Sequence, residues 1–310
     1  LNACKKKKSS AKSKINRVTA TLITRPKNVI TMSPPALPPS PRLFDYQALD
    51  RNAKRARLHE GYDFILRTSA QRLDERFAEI KRDFKSILDL GGFYAAYGAQ
   101  NCHVMPFPFT PLNDDLGLPA AHYDAIICNL SLQTMNDLPG GLIQIKRALK
   151  PDGVFIGVFL GLQTLQDVRQ TLITAEEAVR SGVTPRIAPF IDRYDMASLM
   201  QRAGFALPVV DADLLKISYD HLFKIFRDLR YMGAGNPLTH RVKHFTGKGL
   251  FAKAAELFHK NHQGADGRCE ALVELLFTIG WAPDASQPQP LKRGSATASL
   301  SDIIPVKKSD

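Results

Sequence analysis

The 310-residue sequence has no apolar run approaching the ~18–20 residues that cross a bilayer as a helix, so no membrane span is expected. Cysteine is scarce. Cys4, Cys102, Cys128 and Cys269 lie far apart and form no CxxC pair, which argues against a zinc site or a disulfide framework and suits free thiols in a reducing compartment. Acid is missing from the whole amino-terminal stretch: residues 1–44 hold ten Lys or Arg, and the first carboxylate is Asp45. Those ten account for most of the +12 net charge, because the remaining 32 basic residues face 30 acidic ones, a balance of +2. A body so nearly neutral does not call for a polyanion, and no nucleic-acid partner is expected.

What is present is an ordinary globular composition, 44 % hydrophobic and 23 % charged. Residues 1–44 read as a disordered tail, basic at first and then proline-rich from Pro34 to Pro41. The tail resembles a mitochondrial presequence in being basic, hydroxyl-rich and free of acid, though its lysines crowd into one block, Lys5 to Lys8. A true start at Met32 is the other reading. Residues 45–86 form an amino-terminal helical segment, in which Ile65, Ser69, Leu73, Phe77 and Ile80 make one buried stripe. Residues 87–282 make the main domain, and 283–310 a second loose tail.

Within that domain, Ser86 to Leu90 reads as a buried strand closed by the Gly91-Gly92 turn. Tyr123 to Asn129 is a second strand, and Leu142 to Leu149 a helix stopped by the turn signal Lys150-Pro151-Asp152-Gly153. Val154 to Phe159 carries no polar side chain, as a strand covered on both faces should. Helices are expected over Thr164 to Arg180 and Met196 to Ala203, then a bent strand over Leu207 to Tyr219. A helical insertion over 213–270 precedes the last segment, Ala271 to Trp281, which periodicity leaves open between strand and buried helix. Alternating strands and helices of these lengths predict an α/β fold with a parallel sheet. His240 and His244 are four apart but lack the acid of an HExxH pair, so no metal site is read.

The blocks from Ile127 to Gly140 and from Arg147 to Gly157 carry a specific likeness. They resemble the type 11 class I methyltransferases, and within these the alphaproteobacterial proteins related to the mitochondrial complex I assembly factor of methyltransferase type. Shorter blocks agree at Arg202 to Phe205, Asp228 to Gly233, Gly280 to Pro283 and Lys292 to Ala296. The resemblance implies a Rossmann-like class I methyltransferase sheet with amino-terminal helices, a helical carboxyl-terminal addition and S-adenosylmethionine as cofactor. It implies action on a protein, an arginine in a respiratory complex I subunit being one candidate, with hydroxylation in place of methylation for the mitochondrial branch. It further implies a mitochondrial matrix location in a eukaryote or a cytoplasmic one in a bacterium, with peripheral membrane association compatible. By the same resemblance the cofactor would be held by Asp89, Gly91, Gly92, Asp114, Asn129, Leu130, Ser131 and Leu132, while no catalytic residue is assigned.

The departures bear on mechanism. Only Phe93 to His122, 30 residues, separate Gly92 from Tyr123, too few for two strands of ~5–6 and two helices of ~11–12 residues. The sheet is therefore expected to be shortened between its first and fourth strands. The later glycines of the family's first motif are Phe93, Tyr94 and Ala95 here, and no acid lies between Gly92 and Asp114 to hold the ribose. Gln133 and Thr134 stand where the family has histidine and tryptophan. Cofactor binding is accordingly expected to be weak or absent. A gene-model deletion, an alternative transcript and a non-catalytic scaffold all remain open, as does methylation of a small molecule.

Overall fold

The computed structural model describes residues 42–95, 102–106, 114–180, 182–288 and 294–295. Of the tails expected over 1–44 and 283–310, residues 1–41 and most of 283–310 lie outside the described residues, but Phe44 is buried against Leu49 and Leu238, so the first tail ends before it. Two helices come first, α1 (Tyr46–Ala56) and α2 (Phe64–Ala78), followed by β1 (Ile87–Gly91), β2 (Cys102–Pro106) and β3 (Tyr123–Asn129). Then follow α3 (Leu138–Ala148), β4 (Leu149–Leu160), α4 (Gln166–Val179), α5 (Arg193–Arg202), β5 (Ala206–Tyr219), α6 (Leu222–Tyr231), α7 (Lys248–His262) and β6 (Cys269–Trp281). The six strands form one sheet in the order β2-β1-β3-β4-β6-β5. β1 runs parallel to β2 and β3, and β3 parallel to β4, as the three apolar runs predicted. β6 is antiparallel to both its neighbours.

Alternation within the strands sorts the core onto two faces. Leu88, Leu90, Ile126, Cys128 and Phe155 pack against Leu142 and Ile145 of α3 and Met196 and Met200 of α5. Ile127, Ile156 and Val158 point the other way, against Ala70 and Leu73 of α2. Both faces of β3 and β4 are thus covered, which is why those strands read as unbroken apolar runs. A further cluster joins α4, α6 and α7 to the far end of the β5–β6 pair through Leu172, Ile225, Phe258 and Ala271.

Three expectations need correction, and one left open is decided. The helical segment expected over 45–86 is broken at 57–63, where Gly61 adopts φ +83°, and Ile80 falls beyond α2. The Lys150–Gly153 turn is absorbed into β4: Asp152 takes φ +58° and the register with β3 shifts between Tyr123 and Ala125, so a bulge replaces a stop. Residues 213–219 belong to β5, so the helices between β5 and β6 begin at Leu222. Finally, Ala271 to Trp281 is strand, because its backbone pairs with β4 on one side and β5 on the other. The segment from 93 to 122 contributes one strand among the described residues, in agreement with a shortened sheet.

Candidate functional site

The carboxyl ends of β1, β3 and β4 meet at one end of the sheet, where loops of α/β folds carry ligand contacts. Seven of the eight expected residues gather there. Asp89 is fully buried on β1, and its Oδ2 accepts the backbone N–H groups of Tyr94 (3.1 Å) and Ala95 (2.7 Å). Its Oδ1 has no hydrogen-bond partner among the described residues. Burial pushes this carboxyl up to about 6, although the backbone donors of Ala95, Gly92 and Tyr94 hold it lower than burial alone would. Gly91 follows with φ +114°, and a Cβ there would stand 2.6 Å from that of Ser131, so only glycine lets β1 and the loop after β3 touch. Ser131 uses its hydroxyl to donate to the carbonyl of Leu90 and lies 3.0 Å from the Cys128 sulfur. Burial pushes the Cys128 thiol up to about 11, so it is an inert core group.

Asn129 is engaged on both sides of its amide. Its Oδ1 accepts from the Ser69 hydroxyl (2.7 Å) and its Nδ2 donates to the Leu66 carbonyl (2.9 Å), which fastens α2 across the end of β3. Leu130 takes φ +55° and Leu132 opens a 3₁₀ turn, Leu132–Thr134. Asp114 is brought elsewhere, between α1 and α3. Its carboxylate accepts from the Tyr46 hydroxyl, and its carbonyl from Gln144 Nε2 (2.9 Å). The segment before α1 straps across this region: Phe44 N–H donates to Asn136 Oδ1 (2.8 Å), Asp45 N–H to the Pro237 carbonyl (2.8 Å), and Arg241 pairs with the Asp45 carboxylate (2.8 Å).

Beside the strand ends opens a cavity of about 1110 Å³. Leu130 is the only one of the eight that lines it; Phe93, Gln133, Thr134, Leu160 and Val273 share the sheet side. The opposite walls come from α1, α4, α6, α7 and the segment 184–190, none of which the sequence pointed to. Glu176 fixes that segment. It is buried on α4 and accepts from Thr184 N–H (3.1 Å), the Thr184 hydroxyl (2.9 Å), Arg186 Nε (3.1 Å) and Arg186 Nη2 (2.6 Å).

A sheet whose parallel strands β1, β3 and β4 are followed by an antiparallel β6 inserted inside β5 defines the class I methyltransferase fold. The chain accordingly matches a methyltransferase-domain family over residues 58–208. It is 32 % identical to the arginine hydroxylase NDUFAF5, mitochondrial, of Rattus norvegicus, covering 89 % of this chain and 89 % of that protein. It is 37 % identical to the protein of the same name from Danio rerio over 60 % of this chain and 58 % of that one. The chain belongs to the NDUFAF5 arginine-hydroxylase family. Among solved structures, phosphoethanolamine N-methyltransferase 2 of Haemonchus contortus, in complex with S-adenosyl-L-methionine, matches 77 % of this chain and 60 % of its own at 14 % identity and TM-score 0.40.

The strand ends depart from the class I cofactor pattern in their side chains. The backbone turn at Gly91 and Gly92 is built, and Ser131 stands against Gly91 where a side chain would be. Phe93 to Asn113 supplies no carboxylate for a ribose. Tyr94 is buried instead, its hydroxyl donating to Asp74 (2.6 Å), and the backbone donors of Tyr94 and Ala95 are consumed by Asp89.

Proposed function

We propose that this chain serves in the assembly of respiratory complex I, acting on a protein subunit, as a methyltransferase-fold protein that binds S-adenosylmethionine weakly or not at all. One observation carries the reading: similarity to the rat relative runs through 89 % of both chains, while the ribose acid is missing at the depleted edge of the sheet. The mitochondrial names of the relatives support a matrix location in a eukaryote; in a bacterium the corresponding place is the cytoplasm. No helix among the described residues is long and apolar enough to cross a membrane, and peripheral association remains compatible.

Hydrogen bonds to charged groups contribute ~1.5–3 kcal/mol each, so losing two such contacts lowers cofactor affinity by ~10²–10⁴ at ~1.4 kcal/mol per tenfold. Calorimetric titration of S-adenosylmethionine should therefore give no saturable heat at micromolar concentration. Micromolar binding that Asp114→Ala removes would establish the catalytic reading instead and assign Asp114 to the adenine. The assembly role is tested by expressing the chain in cells that lack their own family member. Native gels should then show complex I restored, and an unrestored complex refutes the role. If a hydroxylated arginine also returns on a complex I subunit, the chain is an enzyme; if assembly returns without it, the chain is a scaffold.

A further inference from the structure

The cavity beside the strand ends has more room than one amino-acid side chain needs. At about 1110 Å³ it slightly exceeds the ~300–1,000 Å³ of pockets that enclose drug-sized ligands. Its two ends differ in chemistry. One is apolar, formed by Leu165, Val168 and Leu172 from α4 and its start, Phe226 of α6, Phe251 of α7 and Ile187. Phe226 and Phe251 meet edge to face at 5.8 Å, a firm wall for a hydrocarbon body.

The other end is cationic. The His59 ring stacks on Tyr231 at 3.8 Å, and a Cβ on Gly233 would lie 3.1 Å from that of Ala56, so the ends of α1 and α6 adjoin. Arg55 in the last turn of α1, Arg57 just after it and Arg230 in the last turn of α6 all lie on the lining. Among the described residues the whole lining holds six arginines, including Arg67, Arg186 and Arg241, against two acids, Glu60 and Asp63. Asp63 pairs with Arg67 (3.1 Å), Glu176 with Arg186 (2.6 Å) and Asp45 with Arg241 (2.8 Å), so Arg55 and Arg230 face a single further acid of the lining, Glu60.

We propose that the cavity binds a single-chain amphiphile with an anionic head, a long-chain carboxylate, its chain among Leu172, Phe226 and Phe251 and its head toward Arg55 and Arg230. The proposal concerns this cavity alone and does not depend on the role in complex I assembly, which is read by a different assay.

The test is calorimetry on the full chain with decanoate and, as the uncharged isostere, 1-decanol. Decanoate should bind in the micromolar range and at least about tenfold more tightly than decanol, the minimum contribution of one charge-assisted hydrogen bond. Its affinity should fall as salt is raised. Arg55→Gln combined with Arg230→Gln should abolish the preference for decanoate while leaving decanol binding in place. Ala188→Trp, which puts a ring into the cavity from the partly exposed 184–190 segment, should remove both. Equal binding of decanoate and decanol by the unmodified chain would overturn the charge argument without reference to any variant. Tighter binding of N-acetyl-arginine methylamide than of decanoate would make this a cation site. Sedimentation with phosphatidylglycerol vesicles in the absence of decanoate binding would place the anionic recognition on the surface and refute the cavity.

Discussion

Replacing Glu176 by alanine is the sharpest perturbation available, because one side chain holds an entire wall of the cavity. Its side chain is 1 % exposed, that of its main partner Arg186 is 15 %, and their closest approach is 2.6 Å. Removing one partner of a buried ion pair costs ~3–5 kcal/mol, chiefly by stranding the other charge. Arg186 keeps some access to water, so the lower end applies, about 3 kcal/mol. For a large single domain each kcal/mol moves Tm by ~2–4 °C, which gives a fall of about 6–12 °C by scanning calorimetry.

Glu176→Gln should lose less, since an amide oxygen still accepts from Thr184. Burial pushes the Glu176 carboxyl up, but the bonds from Arg186 and Thr184 outweigh it and hold the group below its ordinary 4.5. A depressed carboxyl stabilises the fold above its unfolded value and loses that contribution as pH falls through the folded one. The gap between the native chain and Glu176→Gln should therefore be full at pH 7 and close below about 4.5. In the double variant Glu176→Ala with Arg186→Met, destabilisation should be smaller than the sum of the single changes. A fall in Tm under about 2 °C for Glu176→Ala, or strict additivity in the cycle, would refute the argument.

Asp89 titrates in the opposite sense, because burial has raised its carboxyl from 3.8 to about 6. It costs the folded state nothing below the unfolded value and of order 3 kcal/mol above the folded one, at ~1.36 kcal/mol per unit. Urea unfolding from pH 4 to 7 should show a loss of stability that Asp89→Asn lacks, and parallel curves would contradict it. Gly91→Ala should destabilise by more than 1 kcal/mol, since it meets both a φ of +114° and the Ser131 side chain; Ser131→Gly should recover only the contact part. Tyr46→Phe removes the hydroxyl that donates to Asp114 and should cost about 1 kcal/mol, with faster hydrogen exchange across α1. Unchanged exchange there would show that the strap is held by Phe44 and Asp45 alone.

The centre of the sheet was legible because β1, β3 and β4 are covered on both faces and leave apolar runs in the sequence. Less was legible where backbone pairing overrode composition. Lys150 to Gly153 has the residues of a turn, yet Asp152 supplies the φ > 0 that a bulge within a strand requires. β6 gave no period because neighbours on both sides bury it equally well as either structure. At the site, Asp89, Gly91 and the loop after β3 were visible through the resemblance to the family's blocks, which are local in the sequence. The separation of Asp114 from them was not, since its partner Tyr46 lies 68 positions earlier. Glu176 did leave a signal: it falls on the same helical face as Val168, Leu172 and Ala175, where a charge demands a partner. That partner, Arg186, sits beyond the end of the helix, out of reach of periodicity.

The place of β6 also governs the order in which the molecule can assemble on the ribosome. β5 leaves the tunnel some fifty residues ahead of β6, but within the described sheet it pairs with β6 alone. Until Cys269 to Trp281 has emerged, β5 has no edge to join, and α6 and α7 lack the strand end on which they rest. The first four strands can close meanwhile through contacts of modest separation, whereas the chain from Ala206 onward waits with the apolar residues of β5, α6 and α7 uncovered. Nascent chains arrested before Cys269 should be cut readily by protease across 206–262 and resist once Trp281 is out. A stop codon just ahead of β6 would then remove two strands and two helices from the fold, not one strand.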